Sequence, residues 1–162
     1  MATYAQELRA LVGVRRLLLP GVRAVIVNDR NEVLLQRRTD GDCWGLPGGC
    51  VELDETALEA LDREVLEETG LRVRRAEPMA LYSGRRQRFS YPNGDQVQAF
   101  AVAFVVREWT GRPVADGIEG SQVRFWPVDG LPENLAAIHV GTLADFRRYR
   151  GQFLLSDGSD TE

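Results

Sequence analysis

Apolar positions fall in short runs separated by glycine, proline, asparagine and aspartate, and the spacing inside each run assigns an element. Tyr4 to Val12 predicts a short helix, capped by Thr3 and stopped at Gly13. Val22 to Val27 is a β-rich apolar run, Asn28-Asp29-Arg30-Asn31 is a turn, and Val33 to Arg38 predicts a second strand. A polar loop follows from Thr39 to Trp44. Further on, Arg72 to Ser83, Val97 to Val106 and Val123 to Val128 carry strand character, and Tyr91-Pro92-Asn93-Gly94-Asp95 is the strongest turn signal in the chain. A last helix is predicted from Ala136 or Ile138 to Tyr149, and the polar residues Ser156 to Glu162 predict a frayed tail.

The clearest periodicity lies between Thr56 and Thr69. Ala57, Leu58, Leu61 and Val65 recur at helical spacing, Thr56 with Glu59 fits a capping box, and Gly70 ends the run. Strands interleaved with two or three helices predict an α/β layered fold. The chain has no repeat and no linker, so one domain over residues 1–155 is expected, with 156–162 as the tail.

That central helix carries the candidate chemistry. At about 100° per residue, Glu64, Glu67 and Glu68 share one arc beside the aliphatic face, so they crowd the edge of a cleft. Like charges this close repel unless a cation sits among them. Hard carboxylate oxygens suit Mg2+ or Mn2+, and Mg2+ is typically held by one or two carboxylates, waters and substrate phosphates. Arg63 lies one turn before Glu67, where it can orient that carboxylate. A bare glutamate cluster is also consistent with a solvated acidic face, and its surroundings decide between the two.

Those surroundings resemble the Nudix box, G-x5-E-x7-R-E-U-x-E-E-x-G-U with U aliphatic. Gly49, Glu55, Arg63, Glu64, Val65, Glu67, Glu68, Gly70 and Leu71 meet every fixed position. From average composition such a match at one starting point arises by chance on the order of one in a billion. The preceding Trp44-Gly45-Leu46-Pro47-Gly48 is similar to the usual entry to this box. One departure is Asp54, where many members place glycine.

The resemblance implies an α/β/α sandwich with a mixed sheet between helices, and hydrolysis of a nucleoside diphosphate linked to another moiety. It implies Glu64, Glu67 and Glu68 as first-choice metal ligands, with Glu55 and the Gly48 carbonyl as further oxygens and Glu52 as a weaker candidate. Glu64 is one candidate general base. Glu119, just ahead of the last predicted strand, is another, because similar proteins carry an acidic residue there; an ordinary acidic turn is the alternative. Arg38 ends a strand where similar proteins face substrate phosphate, which an arginine fork suits. Arg86, in the basic loop with Arg85 and Arg88, and Tyr91, beside Tyr82 and Phe89, are candidates for covering a phosphate tail and stacking on a base. A solvated hairpin and hairpin packing are the competing readings. His139, the single histidine, reads as structural. The expected activity is MutT-like, turning a nucleoside triphosphate into monophosphate and pyrophosphate. ADP-ribose, nucleotide sugars, nucleoside diphosphates and dinucleoside polyphosphates are rival substrates, and a non-catalytic nucleotide-sensing module is the rival from another class.

Composition narrows this further. A chain of 162 residues can bury a genuine core. Its net charge of −4 argues against a nucleic-acid polymer as partner. All 20 basic residues are arginine, so arginine alone marks no phosphate site. The absence of a signal-type opening and of a membrane-length apolar run predicts a cytoplasmic protein with a small nucleotide as partner, and leaves a homodimer open. Cys43 and Cys50 fit neither a metal pattern nor a disulfide framework, which predicts reduced thiols.

Overall fold

A computed structural model describes residues 1–159. Helix α1 (Tyr4–Val12) and helix α2 (Ala57–Thr69) both begin in capping boxes. In the second, Glu59 N–H donates to Thr56 Oγ1 at 3.2 Å while Thr56 N–H donates to Glu59 Oε2 at 2.8 Å. Gly70 closes α2 in the left-handed conformation at φ 73°, its N–H bonded to the Leu66 carbonyl. These ends follow from local chemistry alone. The third helix, α3 (Ala137–Arg148), also falls where the pattern put it.

The long strands are β1 (Leu17–Ile26), β2 (Glu32–Arg38), β5 (Arg72–Tyr82), β7 (Gln96–Thr110) and β8 (Gly120–Pro127). Four short ones were missed by the sequence reading: β3 (Trp44–Gly45), β4 (Gly48–Cys50), β6 (Arg88–Ser90) and β9 (Leu154–Ser156). The main sheet runs β4-β1-β7-β5-β9, with β6 also on β7. It is mixed, since β1/β7 and β5/β9 are parallel while the other pairs are antiparallel.

Alternation along β1 and β7 makes the sandwich. Ala24, Ile26, Phe104 and Val106 pack with Ala60, Leu61 and Val65 of α2, whereas Val25, Ala103 and Val105 pack with Leu143 and Phe146 of α3. The mixed sheet between helices is therefore as expected. A second sheet, β3-β2-β8, was not foreseen. It arises because β1 and β2 are joined only by the Val27↔Val33 bridge at their turn and then diverge, so β2 pairs with β8 instead.

The tail also differs from expectation. Ser156 belongs to β9, Asp157 accepts a hydrogen bond from Gln87 Nε2 at 2.9 Å through its carbonyl, and Gly158 N–H donates to Ser156 Oγ at 3.0 Å. Polar residues after Leu155 are thus tied down by pairing with β5 and by side-chain hydrogen bonds that no local pattern encodes. Residues 160–162 of the expected tail lie outside the described residues. Among the described residues no helix is long and apolar enough to cross a membrane.

Candidate functional site

Strand β4 is the hinge between α2 and the sheet, and two glycines make it possible. A Cβ on Gly48 would lie 2.1 Å from the Val22 carbonyl of β1, and one on Gly49 would lie 2.4 Å from Glu64 Oε1. Without side chains here, β4 pairs with Gly21 to Arg23 on one edge and receives the carboxylates of α2 on the other. The loop from β4 to α2 passes through Asp54 at φ 62°, a left-handed conformation that glycine adopts freely and aspartate tolerates. This accounts for the departure from glycine noted in the sequence.

Arg63 organises the acidic face. Its Nε and Nη2 fork onto Glu55 at 2.7 and 2.9 Å, Nη2 also donates to the Cys50 carbonyl at 3.0 Å, and Nη1 donates to Glu64 at 2.7 Å and Glu67 at 3.4 Å. All five N–H groups of the guanidinium are used. The fork goes to Glu55 and Glu64, whereas Glu67, expected as the partner one turn on, has the longest contact and a side chain 59% exposed. Glu55 also accepts from Glu52 N–H at 2.9 Å, so its oxygens brace the loop. Glu52 in turn accepts from Tyr4 N–H at 2.8 Å and anchors α1. We expect Arg63→Lys, with three donors and no planar fork, to lower unfolding free energy by about 2 kcal/mol in chemical denaturation.

Glu68 is buried, accepts from Gly48 N–H at 2.8 Å and lies beside the Gln36 amide. Desolvation pushes its carboxyl well above the usual range, and the charges of Glu64 and Glu119 add to the shift. Glu64 is raised for the same first reason, against the pull of Arg63, and it too feels Glu119 and Glu67. Glu119, immediately before β8, is therefore close enough for its charge to act on both, although it is exposed and its carboxylate has no hydrogen-bond partner among the described residues. Among the described residues no three acidic, histidine or cysteine side chains converge as a ready-made ligand cage. The donor chemistry nevertheless fits a hard divalent cation: carboxylates from one helix face, two of them desolvated and crowded by like charge that a cation would neutralise.

A cavity of about 550 Å3 opens beside this cluster, walled by Gly48, Gly49 and Cys50. Arg38, Arg86 and Tyr91 all line it, so the structure gathers three residues that are distant in sequence. The Arg38 fork is held by Asp40 at 2.8 and 2.6 Å, Arg86 makes a looser 3.5 Å contact with Asp157, and Tyr91 packs edge-on to Phe89 at 5.3 Å between centroids. Burial raises the Tyr91 hydroxyl pKa, with the Cys50 thiol next among the causes, and the charges of Asp40 and Glu119 raise it further. Both cysteines border the cavity; burial pushes the Cys50 thiol up to about 11, which keeps it protonated and unreactive at neutral pH. His139 is buried and neutral, its Nδ1 accepting from Leu46 N–H at 3.0 Å, in keeping with a structural role.

Two polar lining side chains were not singled out from the sequence, Arg23 and Gln87. Gln87 gave no signal. Arg23 gave one: a charge at an inward position of an otherwise apolar strand run.

A protein-family model described as NUDIX domain matches residues 17–146. A MutT-like protein of Streptomyces ambofaciens is 46% identical over 125 residues, covering 76% of this chain and 73% of the relative. An ADP-ribose pyrophosphatase of Methanocaldococcus jannaschii is 30% identical over 128 residues, covering 77% and 71% respectively. Among solved structures, a MutT NUDIX hydrolase from Burkholderia pseudomallei matches with a TM-score of 0.63 and 27% identity, over 74% of this chain and 91% of that one.

Proposed function

The chain belongs to the Nudix hydrolase family, and we propose that it hydrolyses a nucleoside triphosphate to monophosphate and pyrophosphate in the presence of Mg2+ or Mn2+. One observation carries this reading: the cavity lined by Arg38, Arg86 and Tyr91 shares the Gly48–Cys50 wall with the carboxylates of α2. A nucleoside in the cavity would present its phosphates to that wall.

Glu64, Glu67 and Glu68 would hold the cation, with the Gly48 carbonyl as a further oxygen. When bound, the cation supplies charge neutralisation at the diphosphate oxygens and makes water more acidic. Glu55 is better suited to bracing the loop, because Arg63 and the Glu52 N–H occupy its oxygens. Arg63 fixes the spacing of Glu55 and Glu64. Arg38 would donate to a phosphate, exchanging part of its fork from Asp40, and Arg86 would cover the outer end of the chain. Tyr91 and Phe89 form an aromatic wall for the base.

Glu119 is the better placed general base, since its carboxylate is exposed and has no partner among the described residues, whereas Glu64 is held by Arg63. Glu119→Gln should lower kcat by about 100-fold or more with KM little changed. A loss under about five-fold would return the role to Glu64.

A panel of nucleoside triphosphates, nucleoside diphosphates, ADP-ribose and dinucleoside polyphosphates, assayed with Mg2+ and Mn2+ and with products separated, tests the reading as a whole. Triphosphates cut to monophosphate and pyrophosphate support it. Preferential cutting of ADP-ribose, the substrate named for one relative, would replace it. Nucleotide binding without turnover of any substrate would mark a sensing module.

A further inference from the structure

Arg23 lies on the α3-facing side of β1, buried to 4% exposure and bordering the cavity. Its partners are all neutral acceptors. Nη2 donates to Gln87 Oε1 at 2.6 Å, and Nη1 donates to Thr142 Oγ1 at 3.0 Å and the Ile138 carbonyl at 3.4 Å. Its guanidinium also stands 5.0 Å from the centre of the Tyr82 ring. No carboxylate of the described residues forms an ion pair with it, although a buried cation without a counter-charge is costly. Three of its five N–H groups have partners among the described residues, leaving Nε–H and one Nη2–H without one there.

The surroundings narrow what those donors await. Leu19, Gly21, Ala99 and Ala101 give the cavity a low apolar floor along β1 and β7. His139 also borders the cavity, with its Nδ1 taken by the Leu46 N–H. Arg38 and Arg86 in the same lining are the charged donors assigned to the phosphates, and the apolar floor beside Arg23 suits the face of a ring better than a charged group. A flat ring whose edge carries only acceptors satisfies both features, the floor through its face and the donors through its edge.

We propose that Arg23 is a specificity-determining residue that holds the acceptor edge of a 6-oxopurine base. Its two unpaired N–H groups meet two adjacent acceptors, as guanine presents with O6 and N7. Adenine places an amino donor where O6 stands, so donor would face donor. Uracil and thymine carry the N3–H donor between their carbonyls and so lack two adjacent acceptors on that edge. This proposal rests on the nucleotide-hydrolase reading above.

The test is kcat/KM of the full chain with Mg2+ for GTP, ITP, 7-deaza-GTP and ATP, in the wild type, Arg23→Gln and Arg23→Lys, with thermal melting to verify folding. The wild type should prefer GTP and ITP over ATP by about ten-fold or more. ITP should match GTP because it keeps the same edge, and 7-deaza-GTP should lose most of the preference. Arg23→Gln and Arg23→Lys, both lacking the fork, should bring GTP and ATP within about three-fold of each other, mainly by weakening GTP. Equal use of GTP and ATP by the wild type, or an equal loss for every nucleotide in Arg23→Gln, would overturn the proposal; the second result is the mark of a phosphate contact. If the variants do not fold, the wild-type comparison of GTP with 7-deaza-GTP decides alone. If no nucleotide is turned over, the hydrolase reading fails, and calorimetric titration of GMP against AMP still decides the role of Arg23.

Discussion

Replacing Glu67 by glutamine should lower Mg2+-dependent nucleotide turnover by about a thousand-fold or more while leaving the fold intact. Stability and turnover, which usually change together, separate at this residue. Glu67 contributes little to stability: its side chain is 59% exposed and, among the described residues, its carboxylate is bonded only by the 3.4 Å approach of Arg63. Exposed ion pairs of this kind are worth about 0–1 kcal/mol, and removing one charge from a crowded acidic face offsets part of that. Its expected contribution to the reaction is far larger. It is the one carboxylate of the helix trio that is neither buried nor tightly hydrogen-bonded, and so the one free to close on a cation arriving with substrate. Metal-assisted stabilisation of phosphate charge is worth several kcal/mol, and about 4 kcal/mol corresponds to about a thousand-fold in rate. Steady-state kinetics with a melting curve on the same sample makes the check. Turnover within ten-fold of the parent would reject Glu67 as a ligand.

Gly48→Ala should fail in the opposite way, through the fold. The added Cβ would sit 2.1 Å from the Val22 carbonyl and 3.0 Å from the Arg23 Cα. Both are backbone atoms of a strand paired on both edges, so neither can swing aside. Gly48 also holds φ 153°, where side chains are rarely accommodated. Relief requires β4 to leave β1, which would also break the Gly48 N–H bond to Glu68. We expect a loss of more than about 4 kcal/mol, seen as a fall in melting temperature of about 10 °C or more or as insoluble protein. A soluble variant melting within about 3 °C of the parent would show that β4 has room the structure does not give it.

The sequence disclosed those parts of the molecule whose causes are local. The ends of α2 were legible because Thr56, Glu59 and Gly70 satisfy backbone groups within one helical turn of themselves. The acidic trio was legible because helical spacing alone puts Glu64, Glu67 and Glu68 together. Strand β4 was not, since two glycines have no strand preference and pair only because β1 lies close enough to exclude every other residue. Strand β9 was hidden for a related reason: Leu154 to Ser156 pair with Ala80 to Tyr82, a partner far away in the chain. The partners of Arg63 were legible only in part: spacing along the helix gave Glu67, which it does reach, but not Glu55, whose loop folds back to take the fork. Arg23 disappeared inside an apolar run, where one charge at an inward position was averaged away.

The central claim is that α2 holds a divalent cation against a polyphosphate, and crystals of the full chain soaked with Mn2+ and a non-hydrolysable nucleoside triphosphate analogue test it most directly. Anomalous scattering should place manganese between the Glu67 and Glu68 carboxylates and the phosphates, at about 2.0–2.3 Å from oxygen, with the base in the cavity above β1. Nucleotide bound in that cavity with no manganese on α2, and Arg63 still joining Glu55 to Glu64 and Glu67, would contradict it.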